Sequence, residues 1–238
     1  MQGVLLLDRV TVRDADFRHA AFDRFSPNGC VFERCDFRSE AFGEQWQALF
    51  TSRRQGVFRD CRFDGADLSG VRPGQTRFER CSFVDANLDG WLSACAEFVD
   101  CRFSGRLRGV TFHGRPWGPG IQRLDPARAT NAFRGNDFTG ADLMNTVFVN
   151  GIDVRAQTWP AGDDYVVVDR IHQRFTRGRQ RVLEWRDHES RNDALSMLQE
   201  IAFVYGQQRE ILARRVDERW QAQPDVQRKV WEALERAL

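Results

Sequence analysis

A five-residue recurrence of phenylalanine and leucine constrains the fold of this 238-residue chain more than any other feature of its sequence. The recurrence also repeats every twenty residues, in the lines Phe58, Phe63, Leu68, then Phe78, Phe83, Leu88, then Phe98, Phe103. Two positions before most of these residues stands a small one, as at Cys61, Ala66, Cys81, Ala86 and Cys101. A period of five matches neither the 3.6-residue period of a helix nor the two-residue period of a strand. The pattern therefore predicts a stack of repeats.

The physical meaning of the period is a square turn. Five residues form one side, in which the large central residue and the small residue two positions earlier point inward and the others point to solvent. Four sides complete one rung, and rungs stacked at the ~4.8 Å spacing of paired strands bury each centre under its equivalent in the next rung. The predicted core consists of Phe58, Cys61, Phe63, Ala66, Leu68, Phe78, Cys81, Phe83, Ala86, Leu88, Phe98, Cys101, Phe103, Phe138 and Leu143.

The segments CRFDGADLSG, CSFVDANLDG and NDFTGADLMN carry a resemblance to a known family. They resemble the pentapeptide-repeat family, whose unit is a small residue, Asp or Asn, Leu or Phe, and two mostly polar positions. The resemblance covers about two thirds of the chain, roughly residues 5 to 155. It implies an all-β solenoid, a right-handed quadrilateral β-helix, and counting the centres gives about six rungs.

The recurrence changes phase twice, which locates two insertions at residues 43–55 and 113–130. One phase runs from Leu7 to Phe42, a second from Phe58 to Arg108, and a third from Phe133 to Asp153. Both insertions leave from the fourth side of the square, about three rungs and ~14 Å apart.

The fourth side is also irregular in its own residues. Its centres are Pro27, Pro73 and Ser93, and Trp91 occupies a small position. Such residues indicate a side on which strand pairing and packing are relaxed. Because loops on a rigid scaffold are the usual carriers of recognition, we expect this side to bind a partner.

The insertions contain the residue types that dominate protein interfaces, Trp and Arg above all. The predicted partner-binding residues are Trp46, Phe50, Arg53, Arg54, Arg115, Trp117, Arg123 and Arg128. A second interpretation competes with this one. Trp46 and Trp117 would fold back to cover the exposed fourth side, and the arginines would be solvated surface residues.

The six cysteines are interpreted as packing residues, because all except Cys95 occupy the small inward position. Packing is favoured over a disulfide or a metal site, which in turn predicts a reduced, cytoplasmic setting.

The four histidines are isolated, and no catalytic, phosphate-binding or metal motif is present. We therefore predict no catalytic residue, no metal, no cofactor and no enzymatic activity. A net charge of +1 without a basic stripe argues against direct nucleic-acid binding. No 18-residue apolar stretch occurs, so no membrane association is expected.

A second region follows the repeats. The five-residue period stops after Asp153, and Trp159, Pro160 and Gly162 indicate a boundary, which divides the chain into residues 1–160 and 161–238. Residues 192–220 and 225–238 are predicted helices, and residues 166–183 are helical in their later part, with VVV leaving a short strand open. Such a region has two uses: it caps the open end of the solenoid, or it forms a homodimer across a twofold axis.

The resemblance also suggests a function. The quinolone-resistance members of the pentapeptide-repeat family are non-enzymatic bacterial cytoplasmic rods that bind DNA gyrase or topoisomerase IV, and two loops contribute to the protection that they give. The leading hypothesis is therefore a type II topoisomerase-binding protein, and the alternative is a general protein-protein interaction scaffold. A continuous acidic strip, with arginine segregated to another side, would favour mimicry of DNA.

Overall fold

The computed structural model describes residues 3–20, 22–38, 42 and 44–237. The first part of the chain is a stack of short strands. These strands are β1 (Val4–Asp8), β2 (Thr11–Arg13), β3 (Arg24–Asn28), β4 (Val31–Glu33), β5 (Val57–Arg59), β6 (Arg77–Glu79), β7 (Ser82–Val84), β8 (Leu92–Ser93), β9 (Glu97–Val99), β10 (Arg102–Arg108), β11 (Thr111–His113), β12 (Phe133–Arg134), β13 (Asp137–Met144) and β14 (Val147–Val149). Three 3-10 helices are inserted, at Glu44–Trp46, Ile121–Arg123 and Val154–Ala156. The second part contains β15 (Tyr165–Val168), α1 (Ile171–Leu183), α2 (His188–Tyr205), β16 (Ile211–Arg214) and α3 (Pro224–Glu235).

Equivalent strands of successive rungs pair in parallel and form separate sheets along the stack. The longest sheet has the order β12-β9-β6-β5-β4-β2, and two others have the orders β13-β10-β7 and β14-β11-β8. In the longest sheet Phe58 lies opposite Phe78, and Phe78 lies opposite Phe98, which is the twenty-residue register of the sequence. The predicted solenoid of parallel strands is thus confirmed. Its right-handed sense and its number of rungs stay predictions.

The core is a set of stacked columns. All of the predicted core residues are buried, from Phe58 at 0% to Ala86 and Leu143 at 2% exposure. In one column the rings of Phe83 and Phe103 are 5.1 Å apart at an interplanar angle of 5°, and Trp159 ends the column 5.1 Å from the ring of Phe138. Stacked aromatic pairs contribute roughly 0.5–1.5 kcal/mol each beyond the area they bury.

Two predicted inward positions are wrong by one residue. Leu107 is buried and Arg108 is exposed, because the register of β10 against β13 shifts between Arg102 and Ser104. At the end of the third phase Asp153 is exposed, and its carboxylate accepts a hydrogen bond from the Arg155 backbone amide at 3.0 Å. That bond caps the last 3-10 helix, which ends the five-residue period.

In one rung of the fourth side, a small residue occupies the central position and a large residue occupies the small position. Ser93 stands at a centre and Trp91 at a small position, and both are buried. The Trp91 indole Nε1 donates to the Leu68 carbonyl at 2.8 Å, which satisfies its polar atom inside the rod. The large ring thereby fills the volume that the small centre leaves.

The cysteines form no disulfide, and all except Cys95 are buried. Their thiols lie against backbone carbonyls of the rod: Cys61 Sγ is 3.4 Å from the Phe32 oxygen, and Cys81 Sγ is 3.3 Å from the Phe58 oxygen. Burial raises the pKa of the Cys81 thiol well above its usual range. Cys81 is therefore a packing residue whose thiol stays protonated and unreactive.

The C-terminal region is not wholly helical. The predicted helix 192–220 is wrong beyond Tyr205, where α2 ends, and residues 211–214 form the strand β16. This strand pairs antiparallel with β15, so that Leu212 lies opposite Val167. Ile211, Leu212 and Ala213 are all buried in succession, which excludes the one-sided apolar stripe of a surface helix.

This region packs on the end of the solenoid. Val147 and Val149, on the outer face of β14, belong to its hydrophobic core, and Leu212 packs into the core of the rod. An ion pair of 2.6 Å joins Arg214 to Asp142 at the same junction. Both predicted uses of this region, as a cap and in a homodimer, stay predictions.

We expect Ala86→Leu to destabilise the rod and Arg102→Leu to leave it almost unchanged. Ala86 is 2% exposed between Phe83 and Leu88, and overpacking of such a site costs ~1–3 kcal/mol. Arg102 is a suitable control, because it is an exposed strand position. The exposed residue next to Ala86, Asp85, is unsuitable, because its left-handed φ of +54° would itself strain a leucine. Thermal melting of both variants is the measurement, and equal melting temperatures would contradict the assignment of inward positions.

We also expect Cys95 to be the one cysteine that reacts rapidly with a thiol reagent in the native protein. Cys95 is half-buried, whereas the other five are buried. Labelling followed by peptide mapping measures this directly, with the Cys95→Ser variant as control. Rapid native labelling of Cys61 or Cys81 would show that the column is not closed.

A candidate partner-binding groove between the two insertions

The first insertion is built into the core of the rod. Trp46 is 4% exposed, with its ring 5.2 Å from that of Phe25, and Phe50 is fully buried 5.3 Å from Phe58. The predicted partner contacts of Trp46 and Phe50 are therefore corrected, because neither side chain reaches the surface. The burial of Trp46 agrees with the alternative interpretation, in which this side chain folds back onto the rod, whereas that interpretation did not include Phe50. The first residue of this insertion, Gly43, lies outside the described residues.

These positions change what a deletion would do. Removing residues 46–54 would take Trp46, Leu49 and Phe50 out of the hydrophobic core. Loss of one large core side chain costs roughly 3–5 kcal/mol. Single exposed residues are consequently the better probes of binding.

The second insertion presents its tryptophan to solvent. Trp117 is 54% exposed, and its ring stacks on that of His113 at 5.4 Å and 12°. Burial lowers the pKa of His113, whose Nδ1 lies 2.8 Å from the Asn150 side-chain nitrogen. Trp117 therefore folds back onto His113, at the end of a strand that pairs with the fourth-side strand of Ser93, and about half of its surface stays exposed.

The two insertions touch each other instead of standing apart. The Gln55 backbone amide donates to the Asp125 carbonyl at 2.8 Å, and Arg54 Nε lies 3.3 Å from the Asp125 carboxylate. Gln75, on the fourth side between them, donates to the Arg53 carbonyl at 2.8 Å and accepts from the Asp125 amide at 3.1 Å. The second insertion thus folds back along the rod, and Arg54 holds it in place.

A buried carboxylate ties both insertions to the rod. Glu97 is 5% exposed and accepts hydrogen bonds from the Ala132 amide at 2.7 Å and the Gln55 side chain at 2.8 Å. Arg128 Nε lies 3.9 Å from the same carboxylate, and its guanidinium donates to the Cys95 carbonyl. Burial lowers the pKa of Arg128. Arg128 is therefore a structural tether, which corrects its predicted contact with a partner.

A groove of about 1120 Å³ lies between the insertions, above the fourth side. Its principal exposed side chains are Arg53, Arg72, Leu92, Trp117 and Arg123. No acidic residue lines it. Within the described part of the chain its three arginines form no ion pair.

Three of the predicted binding residues therefore share one site, namely Arg53, Trp117 and Arg123. Arg115 is exposed outside the groove. Arg72 and Leu92 were not predicted. Their positions in the repeat could have identified them. Each stands one position before a fourth-side centre and so points outward on the side from which the insertions leave.

Elsewhere on the rod, opposite charges alternate. Along the longest sheet Arg13 pairs with Glu33 at 2.7 Å. Arg59 lies 3.5 Å from Glu33 and 2.7 Å from Glu79, which also pairs with Arg77 at 2.5 Å. The described residues of this face therefore present no continuous acidic strip. The predicted sign of DNA mimicry does not occur there.

Comparison with known proteins agrees with the repeat pattern. Residues 57–90 match the family model of pentapeptide repeats, with 8 copies. This segment consists of pentapeptide repeats, and the predicted resemblance to that family is confirmed. No curated protein is significantly similar to the chain.

Among solved structures, the chain is similar to QnrB1, described as a plasmid-mediated fluoroquinolone resistance protein. Full-length QnrB1 is 13% identical, with a TM-score of 0.30, over 65% of this chain and 81% of QnrB1. A trypsin-treated variant is 14% identical, with a TM-score of 0.29, over 66% and 79% of the two chains. TM-scores this low support no inference about fold or partner.

Within residues 3–20, 22–38, 42 and 44–237, none of the helices is long and apolar enough to span a membrane. No group of three or more potential metal ligands occurs in the same residues.

We expect Glu97→Gln to loosen both insertions. The substitution weakens bonds to a charged acceptor and leaves the mostly buried Arg128 without its counterion, at a cost of ~1.5–3 kcal/mol. Trypsin should then cleave after Arg53 and Arg123 faster than in the parent protein. Glu33→Gln is the control, since Glu33 pairs on the same sheet away from the insertions. Equal cleavage rates in both variants would contradict the tethering role.

Proposed function

We propose that this protein is a non-enzymatic protein-binding rod that holds its partner in the groove between the two insertions. The observation that carries the proposal is the position of Trp117, half exposed on a fixed ring beside unpaired Arg53 and Arg123. Trp and Arg are the residue types in which binding energy concentrates. Because the core and Glu97 hold the groove in shape, little ordering is needed on binding.

The partner that we propose is a type II topoisomerase of a bacterial cytoplasm, either DNA gyrase or topoisomerase IV. Two features support it: the pentapeptide repeats of residues 57–90, and two insertions on one side of a rod that we take to be a right-handed quadrilateral β-helix of about six rungs. The alternating charges of the longest sheet favour contact through the groove over contact through a DNA-like face. Binding would protect the enzyme against its inhibitors or modulate their effect.

A general interaction scaffold is the second candidate, and one observation favours it. Phe203 on α2 is 90% exposed, close to a depression lined by Phe175 and Leu195. An exposed phenylalanine of this kind suits a second contact, with another protein or with a second copy of the chain. In this candidate the rod is a spacer between two binding surfaces.

We expect Trp117→Ala and Arg123→Glu to abolish most of the effect of the protein on gyrase while leaving its melting temperature unchanged. The parent protein should relieve quinolone inhibition of DNA supercoiling, or inhibit supercoiling at higher concentration. Supercoiling assays measure both effects, and pull-down from bacterial lysate measures binding. Arg134→Glu is the control, since this residue is exposed outside the groove, and Phe203→Ala tests the second candidate.

The results separate the two candidates. No effect of the parent protein on gyrase and topoisomerase IV would contradict the topoisomerase partner. Loss of partner capture in Phe203→Ala, with Trp117→Ala unaffected, would transfer recognition to the C-terminal region.

A further inference from the structure

The arginines of the groove differ from a group of rod arginines that pair between rungs. In that group Arg34 lies 2.7 Å from Asp14, and Arg80 lies 2.8 Å from Asp60. Arg53, Arg72 and Arg123 are exposed and have no ion-pair partner among the described residues. Three unneutralised cations around one concave site concentrate positive potential there.

The surroundings of the groove keep this potential at one end. Arg53 and Arg123 also line an adjoining pocket, whose acids Asp8 and Asp125 already pair with Arg9 and Arg54. At the opposite end, beyond Arg72, the neighbouring depression contains Asp23 and Glu44 together with the exposed Arg24. The groove is therefore basic through its middle and at one end, and charges of both signs lie just past the other end.

The groove also offers apolar surface. Trp117 is 54% exposed and Leu92 is 50% exposed, and both face the groove that the three arginines line. Exposed apolar groups beside unpaired cations suit a ligand that carries carboxylates and at least one large apolar side chain. Free phosphate or another small anion would leave Trp117 and Leu92 unused.

We infer that the groove binds an extended acidic segment of the partner protein, with an aromatic or large aliphatic side chain placed against Trp117. This inference rests on the proposed function, since it names the chemistry of the partner at the same site. The arginines of the groove favour an acidic segment by charge complementarity, and Trp117 and Leu92 favour a large apolar side chain within it.

A nucleic-acid strand fits these observations less well. DNA-binding proteins can make roughly 6–10 phosphate contacts, and the groove offers three arginines without an ion pair among the described residues. A strand that continued beyond Arg72 would meet Asp23 and Glu44 as well as Arg24, so it would gain no net positive charge there. Nucleic acid is therefore an outcome that the test must distinguish.

The test is fluorescence anisotropy with the full chain and labelled probes of equal length. One peptide alternates Glu and Asp around a central Phe, the second has Ala for Phe, and the third has Lys for every acid. A single-stranded and a double-stranded oligonucleotide complete the set. We expect the acidic Phe peptide to bind most tightly, the Ala peptide several-fold more weakly, and the Lys peptide not at all.

Variants assign the binding to the groove. Combined Arg53→Ala and Arg123→Ala should weaken the acidic Phe peptide by about tenfold or more, as expected for loss of charge-assisted contacts. Arg134→Ala, an exposed arginine of β12 outside the groove, should leave affinity unchanged. Bound peptide should also slow modification of Cys95, which lines the groove.

Each result bears on the inference. Tighter binding of either oligonucleotide, failure of all the probes to bind, or equal loss in the Arg134→Ala control would overturn it. If groove variants abolish partner capture while the acidic peptide does not bind, the proposed function stands and the acidic segment is wrong. If the peptide binds in the groove but partner capture does not depend on Trp117, the proposed function fails instead.

Discussion

In-register stacking of side chains along the axis of the rod is the constraint on which the rest of this structure depends. Each inward ring rests on the equivalent ring of the next rung, as Phe63 rests on Phe83 at 5.1 Å and 7°. Stacking at this distance fixes the cross-section of the rod, because a larger residue in one rung would displace its neighbours on both sides. The small inward residues follow from the same limit, since Cys81 and Ala86 occupy volume beside rings that cannot move.

The backbone is strained where one side of a rung meets the next, and ion pairs between outward residues offset this strain. Two positions after a centre the backbone is left-handed, at φ +54° for Asp60 and +51° for Arg80. That conformation costs a non-glycine residue roughly 1–2 kcal/mol. The two corners stand one above the other, and the Arg80 guanidinium donates to the Asp60 carboxylate through Nε at 2.8 Å and Nη2 at 2.9 Å. Alternation of charge between successive rungs is thus part of how the rungs are held in register.

The fold was predictable where the same physical demand recurs and was not where it occurs once. Phe58, Phe78 and Phe98 were assigned from the period alone, because every rung repeats the requirement for a large inward residue. The single shift that buries Leu107 breaks that repetition, although Leu107 and Phe112 are themselves five apart. The burial of Trp46 and the pairing of β16 with β15 depend on contacts between distant parts of the chain, which carry no local period.

The candidate site was predictable in its side of the rod and only partly in its residues. Pro73 and Ser93 identified the irregular fourth side, and Trp117 and Arg123 were recognised by residue type. Arg128 has the same residue type, but it faces inward to Glu97, and sequence alone does not distinguish an arginine that binds a partner from one that binds the scaffold. Arg72 was overlooked because it belongs to a rung and not to an insertion.

The groove and the irregularity of the fourth side have a common cause. A regular side would present a flat strand ladder on the outside and a column of large centres on the inside. At Ser93 the centre is small, and Trp91 reaches in from the neighbouring position to replace it. The insertions leave the rod from the same side, and contacts with Glu97 hold them against it. Residues of both insertions therefore line the groove, together with short residues of the fourth side between them. Departure from the repeat on one side of four therefore creates a concave surface, while the other three sides supply the rigidity that holds its arginines apart.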